Sequence, residues 1–136
     1  MIATRSKTKR KTPASKKTRT GPGALTRIAI AALADMKAVN VKVLDVRKLT
    51  DIADTMIVAT GNSDRHVKSI ADRLIERCRE AGHRTHGVEG QKEGEWVLVD
   101  LQDLIVHVML PRIREFYGLE RLWTVDAEMS VAANAE

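Results

Sequence analysis

Apolar residues at positions 25, 28, 29, 32, 33 and 36 recur at helical spacing, with Arg27, Asp35 and Lys37 left for solvent, so the pattern predicts an amphipathic helix over 25–38. The period then changes. Positions 41–46 and 55–60 are short runs rich in Val and Ile, separated by a polar stretch with Thr50, Asp51 and Asp54, and both read as strands. Gly61, Asn62, Ser63 and Asp64 supply a turn and a helix cap, after which Val67, Ile70, Ala71, Leu74, Ile75 and Cys78 mark one face of a second helix that Gly82 stops. Positions 84–88 read as a short strand and 89–95 as a loop. Two further strands, 96–100 and 104–109, are joined by three residues, which is hairpin geometry. Pro111 opens a last helix through Ile113, Phe116 and Tyr117, and Gly118 ends it. A strand, helix and strand in the middle imply a right-handed crossover, whereas the final hairpin is antiparallel. The expected fold is therefore α/β or α+β, a mixed sheet of about five strands with helices packed on it.

Alternation along 96–100 puts Trp96, Leu98 and Asp100 on one face of the sheet and Val97 and Val99 on the other. If Asp100 and Leu104 close the hairpin, Leu104, Val106 and Val108 join the Trp96 face and Ile105 and His107 lie opposite; a bulge in the turn would shift that register. A large apolar face rimmed by Asp100 has the make-up of an interface centre. Core burial of Trp96 is the competing reading.

Charge changes the picture at the N-terminus. Residues 1–20 hold eight basic side chains (Arg5, Lys7, Lys9, Arg10, Lys11, Lys16, Lys17 and Arg19) and no acidic ones, leaving 15 basic and 18 acidic residues elsewhere. Residues 1–24 have almost no large apolar side chains to offset the entropy of ordering, so they read as a disordered tail. Lys9, Arg10, Lys11, Lys16 and Lys17 are candidates for RNA phosphate contacts, with a solubility tail as the bland alternative and a transit peptide ranked last. The near-neutral remainder disfavours an RNA role for the folded part itself.

Composition narrows the chemistry further. The chain of 136 residues is one domain in length, with a 43% hydrophobic fraction but only one Phe, one Tyr and two Trp, so its core must be aliphatic. A lone Cys78 allows no internal disulfide and fits a reducing, cytosol-like compartment. No apolar run approaches the ~20 residues that span a bilayer. Cys78, His83 and His86 lack a second ligand pair at finger-like spacing, so no metal is assigned, and His107 reads as a core histidine. Thr60 to Asp64, between a strand and a helix, could cradle a phosphate, yet no Asp-x-Asp pair follows to hold Mg²⁺ for nucleotidyl transfer. Ser63 and Asp64 are then better read as a helix cap, and neither an enzyme nor a cofactor is expected.

The stretch Leu49-Thr50-Asp51-Ile52-Ala53-Asp54-Thr55-Met56-Ile57-Val58-Ala59-Thr60-Gly61-Asn62-Ser63-Asp64-Arg65-His66-Val67 resembles the ribosomal silencing factors, the RsfS or iojap-like family. Gly87-Val88-Glu89-Gly90, Trp96 to Leu101, Ile105 to Met109 and Tyr117 to Trp123 follow in the order of that family's signature, so the resemblance spans 25–124 and leaves 1–24 and 125–136 as tails. It implies a fold similar to nucleotidyl transferases without their metal carboxylates. It also implies a non-catalytic, cytoplasmic factor that binds ribosomal protein fourteen of the large subunit and blocks joining of the small one. By that resemblance Trp96, Leu98, Asp100, Leu101 and Asp103 are candidates for the partner contact, the tail is a candidate contact to ribosomal RNA, and a homodimer of the free protein is expected. Two rival classes stay open: a nucleotidyl-transferase-like enzyme, which predicts Mg²⁺ dependence, and an RNA-binding protein acting through its tail.

Overall fold

The computed structural model describes residues 23–119 and Arg121. These form α1 (Ala24–Asp35), β1 (Val39–Asp45), β2 (Thr55–Thr60), α2 (Asp64–Glu80), β3 (Gly87–Glu89), β4 (Trp96–Asp100), β5 (Leu104–Met109) and α3 (Pro111–Tyr117). The strands make one five-stranded sheet in the order β1-β2-β5-β4-β3. It is mixed, because β2 and β5 run parallel while β1–β2, β3–β4 and β4–β5 are antiparallel. The fold is thus α+β, with the chain crossing from β2 through α2 to the far edge and returning by the β3–β4–β5 meander.

Local chemistry sets the helix ends. Lys37 takes a positive φ of 59°, and the N–H groups of Lys37 and Ala38 turn back to the carbonyls of Ala34 and Leu33. Helix α1 therefore stops at Asp35, short of the expected position 38. Ser63 caps α2, its side chain accepting from the His66 N–H at 3.1 Å. Gly61 is needed where β2 meets this helix, since a Cβ there would stand 2.7 Å from Cγ2 of Val67. Gly118 ends α3 in the left-handed region. An equal shift of three residues occurs at β3, which pairs only over Gly87–Glu89 rather than starting at 84.

Helices α1 and α2 cover one face of the sheet. There Ala29 and Leu33 of α1 and Val67, Ile70, Leu74 and Cys78 of α2 pack on Ile57, Val97, Val99, Leu104, Val106 and Val108. Arg77 of α2 pairs with Asp35 of α1 on the outside of this layer. His66 joins the same two helices: its Nδ1 accepts from the Asn62 N–H at 2.9 Å while its Nε2 lies 2.7 Å from the Met36 carbonyl oxygen. The opposite face carries a smaller cluster of Leu44, Val46, Met56, Val58 and Met109, against which Trp96, Ile113 and Leu119 pack. This second face is the one that holds the candidate site. No described helix is long and apolar enough to cross a membrane.

Candidate functional site

The hairpin register expected from the sequence is off by one residue. Trp96 pairs with Met109, Leu98 with His107 and Asp100 with Ile105. Directly paired residues share a face, so Ile105, His107 and Met109 lie with Trp96, whereas Leu104, Val106 and Val108 lie under the helices. The turn is the cause. Leu101 and Leu104, not Asp100 and Leu104, close the hairpin, and the two residues between them include Gln102 at a φ of 79°. Asp100 Oδ1 accepts from the Gln102 N–H at 2.9 Å and holds that conformation.

Trp96 is half-buried, which places it between the core and anchor readings. Its Nε1 donates to Nδ1 of His107 at 2.9 Å, with ring centroids 5.9 Å apart. Tyr117 flanks the same indole at 5.1 Å, and Phe116 meets Tyr117 edge-on at 4.9 Å. Phe116 and Tyr117 remain 78% and 57% exposed. All the aromatic side chains among the described residues therefore form one array at the end of the second face. Helix α3 is aimed by Arg114, whose Nη1 donates to Thr60 Oγ1 at 2.7 Å. The sequence reading missed Phe116 and Tyr117 as site candidates, although two adjacent aromatics in a chain with so few were a usable signal.

The other candidates are distributed unevenly. Leu98 and Asp100 are half-buried on the Trp96 face, with Asp100 opposite Ile105 at the other end of the β4–β5 ladder. Leu101 is 4% exposed and points into the helix-side core, so it shapes the turn from within. Asp103 presents an exposed side chain, while its carbonyl accepts from the N–H groups of Asp54 and Thr55 at 2.9 and 3.1 Å. Lys9, Arg10, Lys11, Lys16 and Lys17 lie outside the described residues, as does the expected disorder of the tail up to residue 22. Gly23 and Ala24, expected in that tail, instead cap and open α1.

Burial pushes the His107 imidazole down from 6.5 to about 4, so the ring is neutral at neutral pH and its Nδ1 stays an acceptor. Burial also pushes the Cys78 thiol up, away from the thiolate form that reacts or ligates. His86 is engaged elsewhere, its Nε2 lying 3.0 Å from Oε1 of Gln102.

The loop after β2 borders a shallow cleft of about 500 Å³ between the α2 N-terminus and the start of α3. Ser63, Asp64, Glu93, Glu95 and Arg112 line it, and Arg112 pairs with Glu95 at 3.6 Å. Tertiary folding thus brings three carboxylates to the place where a phosphate would meet the helix dipole, which opposes anion binding there. Among the described residues no three His, Cys, Asp or Glu side chains are grouped to hold a metal ion.

A small α+β protein with helices on one sheet face and a partly exposed aromatic array on the other is the class that this architecture defines. The family model described as ribosomal silencing factor during starvation matches residues 18–136. A ribosomal silencing factor RsfS from Chromobacterium violaceum is 48% identical over 99 residues, covering 73% of this chain and 81% of that one. A crystal structure of a protein from the same organism superposes with a TM-score of 0.72 at 47% identity, covering 73% of this chain and 82% of that one. A mouse protein named mitochondrial assembly of ribosomal large subunit protein 1 is 28% identical over 99 residues, 71% of this chain and 43% of its own. The chain belongs to the ribosomal silencing factor (RsfS) family.

Proposed function

We propose that this protein docks on the large ribosomal subunit through ribosomal protein fourteen, using the Trp96 face of its sheet, and thereby keeps the small subunit from joining. The observation that carries the reading is the aromatic array of Trp96, Tyr117 and Phe116, which shares with Leu98, Asp100 and Ile105 the sheet face opposite the two long helices. Such a face has an apolar centre and an acidic edge, the make-up of a specific protein interface. Family membership supports a ribosomal partner, and the name of the mouse relative supports the large subunit.

The mechanism is exclusion, with no bond made or broken. One sheet face and the adjoining turn can bury ~800 Å² per partner, enough for a specific complex. A folded body bound on the joining surface occupies volume that the small subunit needs, and silencing then follows concentration and affinity by mass action. The exposed side chain of Asp103 stands at the same end of the hairpin as Asp100 and extends the acidic edge. Lys9, Arg10, Lys11, Lys16 and Lys17 add a salt-sensitive contact to ribosomal RNA. In this reading the protein works in the cytoplasm and is a homodimer when free.

Co-sedimentation with separated ribosomal subunits tests the proposal. The protein should travel with large subunits and lower the yield of joined ribosomes; equal sedimentation with both subunits, or an unchanged yield, refutes it.

A further inference from the structure

Trp96 carries one polar atom, the indole N–H, and the fold satisfies it internally through His107 Nδ1 at 2.9 Å. An indole N–H can only donate, so Nδ1 must hold its lone pair and the neutral ring carries its proton on Nε2. The contact runs diagonally across β4 and β5, because His107 pairs with Leu98 and Trp96 with Met109. His107 tilts at 53° on one side of the indole and Tyr117 at 50° on another. With its N–H turned inward, the exposed remainder of the indole is carbon alone.

His107 itself is 4% exposed, so it touches a docked partner little or not at all. Its neighbours across the β2–β5 pairing are Met56 and Val58, in a cluster that is otherwise aliphatic. A leucine would fill that place without the desolvation cost of an imidazole. The acceptor nitrogen is what the histidine adds.

We propose that His107 is a positioning residue for docking: it accepts the Trp96 indole N–H and holds the ring so that its carbon edge faces the partner. This rests on the reading that the Trp96 face docks. Removing the acceptor leaves a half-buried N–H without its partner, and the indole then gains by turning that atom toward water, which spoils the apolar surface.

The test uses the full chain, isolated large ribosomal subunits, and the variants His107→Leu, His107→Asn, Trp96→Phe and Trp96→Ala. Three readouts are needed: the indole N–H resonance, which Trp96→Phe assigns, the affinity for the subunits, and the melting temperature. His107→Leu should move the Trp96 resonance and weaken binding about tenfold or more, the scale of one buried hydrogen bond removed. His107→Asn can place Oδ1 near the former Nδ1, so it should return both readouts toward the parent at comparable stability. A His107→Leu variant that binds like the parent overturns the proposal, as do equal losses in both His107 variants that merely track lower melting temperatures. If Trp96→Ala also binds like the parent, the docking reading has failed and takes this one with it. A weak Trp96→Ala beside an unaffected His107→Leu sinks the positioning role alone.

Discussion

Leu101 donates its N–H to the Leu104 carbonyl at 2.9 Å, closing the β4–β5 hairpin and thereby deciding which side chains share a face with Trp96. Had Asp100 and Leu104 closed it, Val106 and Val108 would have been brought to Trp96 and His107 sent to the helix side. A shift of one residue exchanges the two faces of a strand completely. The proposed docking face therefore depends on the turn that Gln102 completes with its positive φ of 79°.

Trp96→Ala should weaken binding to large subunits by roughly 2 kcal/mol or more, the scale of an interface hot spot. Because the indole is half-buried against the second cluster, stability should fall as well, by about 2 kcal/mol, less than for a fully buried tryptophan. Binding titrations and denaturant melts on the same variant separate the two effects. Parent-like affinity would remove Trp96 from the contact.

Phe116→Ala should leave stability within ~0.5 kcal/mol, because the residue is 78% exposed and its ring meets Tyr117 edge-on at the surface. Its affinity for large subunits should drop about fivefold or more if the aromatic array docks as a unit. An unchanged affinity would confine the contact to the strands and exclude α3 from it.

Protonation of His107 should destabilise the fold in acid. The folded imidazole titrates at about 4 against an ordinary 6.5, so the unfolded chain binds the proton more readily. The stability tied to the neutral ring is complete above pH 6.5 and is lost as the pH falls toward 4, by up to ~3 kcal/mol. Denaturant melts from pH 7.5 to pH 4 should show this loss, and His107→Leu should lack it. The same slope in both proteins would assign the acid sensitivity to other groups.

Deleting residues 1–20 removes eight basic side chains and no acidic ones. It spares Gly23, whose carbonyl accepts from the Arg27 N–H at 3.1 Å and starts α1. The truncated chain should melt like the parent and still select large subunits. Its binding should become less salt-dependent, the log-log slope falling by ~0.7 to 0.9 for each phosphate that the tail no longer neutralises. A slope equal to the parent's would show that the tail does not touch RNA when bound.

Strands β2, β4 and β5 were legible to the residue because short Val- and Ile-rich runs bounded by turn residues carry the period that burial on a sheet demands. Helix α2 was legible for a similar reason, its apolar face repeating at helical spacing and Ser63 serving as cap. The end of α1 and the start of β3 were less so, since they depend on the positive φ of Lys37 and on where β4 offers a partner, neither of which periodicity encodes. The order of linked motifs from Leu49 to Trp123 sufficed to indicate the family.

The sequence by itself thus determined the element types, the side of β4 that Trp96 shares with Leu98 and Asp100, and family membership, because each is written in neighbouring residues or in their order. Only the tertiary structure decided what stands opposite Trp96. The indole's hydrogen bond to His107, eleven residues away, follows from a turn conformation rather than from any pattern in the strands. The Arg114–Thr60 bond, spanning 54 residues, fixes α3 at the end of β2, and the packing of α3 brings Tyr117 against Trp96. The carboxylates of Asp64, Glu93 and Glu95 likewise meet at one cleft only after folding. Periodicity reports whether a side chain is buried, whereas the identity of its neighbour is set by strand order and register, which are properties of the whole sheet.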